Sequence, residues 1–158
     1  MNAHLRSITE MNTAWFLNSV DGVGEEQAWN RTADNANSFG FVALHVANAR
    51  YGLARLAGLD GITNPLQPYM KDVKTIDDLR EQPTIAQIRD AWTALAPELH
   101  DYVAMVDVER PLEHRFPLDD KTVGGLLLFI IHHDGYHVGQ LSMLRKTLGL
   151  SGTKLMRS

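Results

Sequence analysis

The chain contains no cysteine among its 158 residues, which excludes disulfides, thiolate metal ligands and a cysteine nucleophile. It also lacks a basic run, since 15 Lys and Arg stand against 19 Asp and Glu, for a formal net charge of −4. We therefore expect no nucleic-acid partner. No apolar stretch approaches the roughly 20 residues of a membrane span, and the N-terminal sequence lacks the apolar segment of a signal peptide. The expectation is a soluble, cytoplasmic protein with no membrane partner.

The length and the composition suit one globular domain. A chain of 158 residues can bury about 70% of its unfolded surface, so folding requires neither a disulfide nor a structural metal. Hydrophobic residues make up 44% of the chain and charged residues 22%, as in ordinary soluble proteins. We therefore predict a single domain over residues 1–158.

Four segments place apolar residues at intervals of three and four, which is the spacing of one face of an α-helix. The sequence therefore predicts an all-α fold, a four-helix bundle with long crossover connections over residues 59–83 and 107–120. The four faces are Leu5, Ile8, Met11 and Trp15; Val42, His45, Ala49, Leu53 and Leu56; Ile88, Trp92, Leu95, Leu99 and Val103; and Leu126, Ile130, His133, His137, Leu141, Leu144 and Leu148.

Capping residues indicate where the helices begin. Asn37 or Ser38 can accept a hydrogen bond from an early backbone N–H of the second helix. A capping-box pattern that starts at Thr84 opens the third helix. The fourth helix is expected to begin near Asp119 or Asp120.

Histidines occupy two positions on the apolar face of the fourth helix. His133 and His137 are four residues apart, so they lie about 40° apart around the helix axis and can reach one ion. His45 takes an apolar position on the second helix in the same way. Burying an unpaired ring costs on the order of 1–3 kcal/mol, whereas a divalent ion binds one nitrogen of each neutral ring. The pattern predicts a metal site formed by these three histidines inside the bundle.

Simpler explanations apply to some of these residues. A single histidine on an apolar face is more often structural, and a pair four residues apart also arises by chance on exposed helices. Gly135 and Gly139 leave a groove on the fourth helix that suits either a ligand or the close packing of another helix. Gln140 either supports the metal site or faces solvent. The remaining histidines are predicted to be surface or loop residues without a role: His4, His100, His114 and His132.

Two segments of the sequence resemble the markers of a known family. The fourth-helix segment reads His133-x-x-x-His137-x-Gly139-Gln140-Leu141, followed by Leu144-Arg145 and Leu148-Gly149. In residues 37–45 of the second helix, an Asn-Ser pair precedes the first histidine. Together the two segments are similar to the markers of the DinB/YfiT-like superfamily, and the resemblance covers nearly the whole chain.

The resemblance implies an up-up-down-down four-helix bundle with a metal site whose ligands, by position, are again His45, His133 and His137. It implies zinc or nickel as the divalent ion and, frequently, a homodimer. The family includes enzymes that use low-molecular-weight thiols, such as bacillithiol S-transferases and the mycothiol-dependent maleylpyruvate isomerase. This chain has Tyr136 where the family commonly has a further histidine, and Asp134 where it usually has glutamate.

The leading hypothesis is a metal-dependent enzyme, a thiol-dependent S-transferase or a related transfer or isomerisation enzyme, that acts on a small molecule. Three protein ligands leave a coordination position open, and the ion could polarise a carbonyl or lower the pKa of a bound water or thiol. A low-molecular-weight thiol is an attractive co-substrate because the chain supplies no thiol of its own. Tyr136 and Asp134 are candidates for the general base only if their side chains turn inward. The alternatives are a metal-dependent binding or sensing protein without turnover and a dimeric structural bundle.

Overall fold

Helices make up the regular structure of the chain. The structure is a computed structural model and describes residues 2–113 and 116–155. Its α-helices are α1 (Ala3–Val20), α2 (Glu25–Trp29), α3 (Phe39–Leu56), α4 (Gln67–Met70), α5 (Ile85–Met105) and α6 (Val123–Thr147), and a 3₁₀ turn spans Ile76–Asp78. The all-α prediction is confirmed. The assignment of residues 1–158 to one domain stays a prediction.

The long helices α1, α3, α5 and α6 form the predicted four-helix bundle, in which α1 and α3 each pack between α5 and α6. α1 runs parallel to α6, and α3 and α5 run together in the opposite direction. This up-down-down-up order differs from the up-up-down-down order that the resemblance implied. The directions follow from hydrogen bonds between Asn12 and Ile131, Ser19 and Arg145, Tyr51 and Ala91, Ala57 and Tyr102, and Asn2 and Ala104.

The connection between α3 and α5 crosses the length of the bundle. Since these two helices run in the same direction, residues 57–84 must return the chain from the end of one helix to the start of the other. The helix α4 and the 3₁₀ turn at Ile76–Asp78 lie within this connection. The crossover predicted over residues 59–83 is therefore present. The prediction of a second crossover over residues 107–120 was wrong, because α5 and α6 run in opposite directions and residues 106–122 join them at one end of the bundle.

Side-chain caps begin α3 and α5 where the sequence placed them. Ser38 Oγ accepts the N–H of Phe41, and Thr84 forms the predicted capping box. α6 begins at Val123, later than the expected start near Asp119 or Asp120. The reason is that Asp120 Oδ1 accepts hydrogen bonds from the backbone N–H and the hydroxyl of Thr122. Thr122 is therefore the N-cap residue of α6.

The buried face of α1 is different from the predicted apolar face. Ile8 and Met11 are 38% and 39% exposed, whereas Thr9 and Thr13 are buried. Their hydroxyls donate to carbonyls one turn earlier, from Thr9 to Leu5 at 2.7 Å and from Thr13 to Thr9 at 2.9 Å. Because these bonds satisfy the hydroxyls within the helix, the two threonines can face the interior at low cost. The prediction that Ile8 and Met11 face the core was wrong.

The longest apolar run of the sequence lies near the start of α6. Leu126, Leu127 and Ile130 are buried in the bundle, whereas Leu128 points outward and is 56% exposed. Among the residues that the structure describes, no helix is long and apolar enough to cross a lipid bilayer. The run therefore belongs to the bundle core.

Candidate metal centre

Three histidine side chains meet between α3 and α6. The predicted ligands His45, His133 and His137 each offer one ring nitrogen, and these nitrogens all lie within 4.8 Å of one another. The ring of His45 lies 4.8 Å from that of His137 and 5.5 Å from that of His133, measured between centroids. The convergence arises because α3 and α6 pack antiparallel. The helical turn that carries His45 thereby lies beside the turn of α6 that carries His133 and His137. Such a group of donors could hold a metal ion.

One ligand candidate is oriented by a side chain of its own helix. His137 Nδ1 lies 2.7 Å from Gln140 Oε1, and the Gln140 amide donates in turn to the hydroxyl of Tyr136 at 3.2 Å. The carboxamide oxygen can only accept, so His137 carries its proton on Nδ1. Its Nε2 therefore presents a lone pair to the centre of the histidine cluster. Gln140 thus supports the site, one of the two alternatives that the sequence left open.

The chemistry of the donor set fits a divalent cation. His137 Nε2 lies 3.2 Å from His133 Nε2. With the proton of His137 on Nδ1, its Nε2 lone pair faces the nitrogen of the neighbouring ring. A cation bound by both nitrogens satisfies both lone pairs, and neutral imidazoles are ligands that zinc and nickel accept. The residues present therefore fit a metal ion of this class.

The protonation of the rings favours metal binding. Burial, followed by the neighbouring rings of His137 and His133, lowers the pKa of His45 from its ordinary value of 6.5 to about 4. Burial is also the largest cause of the lowered pKa of His137, against the Gln140 hydrogen bond, which raises it. Both rings are neutral at pH 7, which is the form that coordinates a metal.

Comparison with known proteins assigns the chain to a family. The model of the DinB superfamily matches residues 8–141, which include all three clustered histidines. The chain belongs to the DinB superfamily. A search of curated proteins gave no match. The sequence resemblance is thereby confirmed, while the assignment of His45, His133 and His137 as ligands stays a prediction that their geometry supports.

In this DinB-superfamily chain the histidines lie at the edge of the core. The three rings are half-buried, while Asp134 and Val138 of the same helix are buried. The inward face of α6 is therefore turned by one residue from the face that the sequence predicted. This placement leaves the histidine cluster close to the surface, where a small molecule can reach it.

A buried ion pair that was not predicted from the sequence lies beside the cluster. Arg50 Nε lies 3.1 Å from Asp134 Oδ2, and the two side chains are 0% and 1% exposed. The Arg50 guanidinium lies 3.9 Å from the centre of the Trp92 ring and donates to Thr13 Oγ1 at 3.0 Å and to the carbonyl of Thr9 at 3.3 Å. A signal for this pair exists in the sequence, because each charge has apolar residues four positions before and after it: Val46 and Ala54, and Ile130 and Val138.

A groove opens next to the histidine cluster. Gly139 and Gln140 line a cavity of about 500 Å³ together with Val42, Tyr136 and Met143. Among the described residues, no atom of another element lies within 4 Å of the place that a Cβ of Gly139 would take. The same holds at Gly135. Close packing of another helix of this chain is therefore not the reason for these glycines. Tyr136 is 59% exposed and does not turn into the core.

The remaining histidines have separate positions. His4 and His132 are exposed, as predicted. His100 is half-buried in α5, and its Nε2 lies 3.0 Å from Thr13 Oγ1, so the prediction of a surface or loop residue was wrong for this side chain. His114 lies outside the described residues.

Proposed function

We propose that this DinB-superfamily protein is a metal-dependent enzyme whose divalent ion, zinc or nickel, is bound by His45, His133 and His137. The observation that carries the proposal is the convergence of three imidazole nitrogens within 4.8 Å of one another. Among the described residues, the cluster holds three candidate ligands and no fourth. Three protein ligands are typical of catalytic zinc sites, whereas structural zinc sites have four.

The chemistry that we propose is a thiol-dependent transfer or a related isomerisation. A bound ion would polarise a carbonyl or lower the pKa of a coordinated thiol or water. The chain has no cysteine, so a thiol must arrive as a low-molecular-weight co-substrate. The cavity lined by Gly139, Tyr136 and Met143 is the place where we expect a small-molecule substrate to bind.

Two features of the chain have defined tasks in this proposal. Gln140 fixes the ring of His137, because its amide oxygen accepts the Nδ1–H at 2.7 Å. The Tyr136 hydroxyl accepts from the same amide and stands at the cavity wall, where it can bond a polar group of the substrate. Neither candidate for the general base turns into the site. Tyr136 points outward, and Asp134 is engaged in the buried ion pair.

The expected setting is a cytoplasmic homodimer. Large apolar side chains outside the cavity are exposed on the two parallel helices α1 and α6, namely Ile8, Met11 and Leu128. A second copy of the chain packed on this face would remove these apolar side chains from water. The alternatives to an enzyme are a metal-dependent binding or sensing protein and a bundle in which the ion only stabilises the fold.

The test uses protein in which cobalt replaces the native metal. Cobalt in a histidine site has a visible spectrum that changes when a ligand enters the coordination sphere. We expect a low-molecular-weight thiol such as cysteine or glutathione to shift this spectrum in the wild-type protein. His45→Ala should abolish the cobalt spectrum, whereas His132→Ala, which changes an exposed histidine on the same helix as two ligands, should not.

The outcomes separate the three hypotheses. A shifted spectrum together with turnover of an electrophilic small molecule supports the enzyme. A shifted spectrum without turnover across a broad set of thiol acceptors supports the binding or sensing protein. A cobalt spectrum that no thiol, water-competing anion or substrate alters would contradict an open coordination position and favour the structural bundle.

A further inference from the structure

The buried carboxylate of Asp134 has unused hydrogen-bonding capacity. Within the described part of the chain, both of its oxygens are buried without a hydrogen-bond partner, and so is the Nε of Arg50. Arg50 Nε lies 3.1 Å from Asp134 Oδ2, so the two opposite charges compensate each other. The N–H of Arg50 Nε does not point at this oxygen as it would in a hydrogen bond. Buried carboxylate oxygens without partners are rare in folded proteins, so the donors around Asp134 need to be considered.

A second nitrogen beside this carboxylate belongs to a candidate metal ligand. His133 Nδ1 lies 4.0 Å from Asp134 Oδ1, and this nitrogen is likewise buried without a partner among the described residues. The opposite nitrogen of the ring, Nε2, faces His137 across 3.2 Å. One ring thus directs Nε2 to the centre of the cluster and Nδ1 to the carboxylate.

We propose that Asp134 is a positioning residue of the metal centre, a role that rests on the proposed function. Its carboxylate accepts the Nδ1–H of His133, with the gap of 4.0 Å closing by a small rotation of the ring when a metal is bound. This contact fixes the tautomer that presents Nε2 to the ion and makes the ring a stronger ligand. Gln140 does the same for His137, so two of the three ligands would each have a dedicated acceptor.

Arg50 has a defined part in the arrangement. Its guanidinium is held by the Trp92 ring, by Thr13 Oγ1 and by the carbonyl of Thr9, so its position is fixed from three sides. A buried carboxylate beside such a fixed cation is held in one place. The ion pair therefore holds a charged acceptor at the back of the metal site.

A purely structural ion pair is the competing explanation, and the test separates the two. The main variant is Arg50→Met/Asp134→Leu, in which apolar side chains of similar size replace both charges; such replacements often leave stability unchanged or raise it. A matched control is Arg89→Met/Asp90→Leu, which makes the same change in an exposed ion pair of α5. Asp134→Asn keeps one acceptor oxygen, removes the charge and replaces the other oxygen by an amide donor.

Two readouts are measured on each folded protein. Long-range ¹⁵N–¹H correlation spectra of the zinc-loaded protein report the Nδ1–H of His133, whose proton resonance moves downfield when a carboxylate accepts it. Competition with a chelator reports the affinity for zinc. We expect a downfield Nδ1–H of His133 in the wild type and its loss in the double variant, and the zinc affinity to fall about 10- to 100-fold. Asp134→Asn should lose about 10-fold, and the α5 control should match the wild type.

An unchanged Nδ1–H resonance of His133 and an unchanged zinc affinity in the double variant would overturn the proposal and leave a structural ion pair. If the double variant does not fold, a zinc affinity of Asp134→Asn equal to that of the wild type overturns it. A wild type that binds no zinc contradicts the proposed function itself, whereas a double variant that binds zinc like the wild type contradicts only the role of Asp134.

Discussion

Two polar clusters lie side by side on α3 and α6, and they differ in what completes them. The histidine cluster, His45, His133 and His137, gathers nitrogen lone pairs near the surface. The ion-pair cluster, Arg50 and Asp134 with their neighbours Thr13 and Trp92, gathers a cation and an anion in the core. The second cluster is compensated by charges of the chain itself. The first could be completed by a cation from outside, as we propose.

The difference separates stability from function in one bundle. Removing one partner of a buried ion pair leaves an uncompensated charge, which strongly destabilises the folded state. Removing a half-buried neutral ring leaves no charge behind. We therefore expect the ion-pair cluster to govern folding of the metal-free protein, and the histidine cluster to govern what the protein binds.

The largest effect should come from breaking the ion pair on one side. Arg50→Met leaves the carboxylate of Asp134 buried without its cation, and we expect the free energy of unfolding to fall by about 3–5 kcal/mol. Urea denaturation of the metal-free protein measures the change. Arg55→Met, an exposed arginine of the same helix, should change it by no more than about 0.5 kcal/mol. A loss below about 1 kcal/mol in Arg50→Met would show that the pair is not important for stability.

Metal should stabilise the folded protein through the histidine cluster alone. At a free metal concentration 100 times the dissociation constant, linkage predicts a gain of about 2.7 kcal/mol. Urea denaturation with and without zinc measures this gain, which should vanish in His45→Ala and persist in His132→Ala. An equal gain in His45→Ala would place the metal elsewhere.

A smaller effect should come from the residue that orients His137. Gln140→Leu removes the acceptor at 2.7 Å from Nδ1, and we expect the zinc affinity to fall about 10-fold, or about 1.4 kcal/mol. Gln140→Glu keeps an acceptor oxygen and should retain the affinity of the wild type or exceed it. If both variants bind zinc like the wild type, the hydrogen bond does not support the site.

The smallest effect should be a pH dependence that belongs to His45. Its pKa is about 4 in the folded chain and close to the ordinary 6.5 when unfolded, so the unfolded state takes up a proton between these values and the folded state does not. Its contribution to stability is complete above pH 6.5 and is lost as the pH falls toward 4. In the metal-free protein, the stability curve of His45→Leu should therefore fall less over this range, by about 1 kcal/mol after solvent screening. Parallel curves would contradict the low pKa.

Local patterns in the sequence were enough to predict the four long helices and the histidine cluster. The spacing of His133 and His137 fixes their relation on one helix, and both Ser38 and Thr84 cap helices within a few residues of themselves. His45 could be added because it stands among apolar residues of its own helix. Each of these inferences depends on neighbours within one or two helical turns.

Features that depend on distant parts of the chain could not be predicted in the same way. The α1 face was misjudged because Thr9 and Thr13 satisfy their hydroxyls on the helix backbone and can be buried. The ion pair joins Arg50 of α3 to Asp134 of α6. The apolar residues around each charge indicate that it is buried, but no local pattern indicates that the two residues meet. The direction of each helix likewise follows from how the connections cross the bundle.

Metal content of tag-free protein is the measurement that tests the central claim most directly. Mass spectrometry should find about one equivalent of zinc or nickel per chain in the wild type and in His132→Ala, and none in His133→Ala/His137→Ala. The double variant should remain folded, because it leaves Arg50 and Asp134 in place. A wild type that holds no metal, even after incubation with zinc or nickel, would contradict a metal centre at His45, His133 and His137.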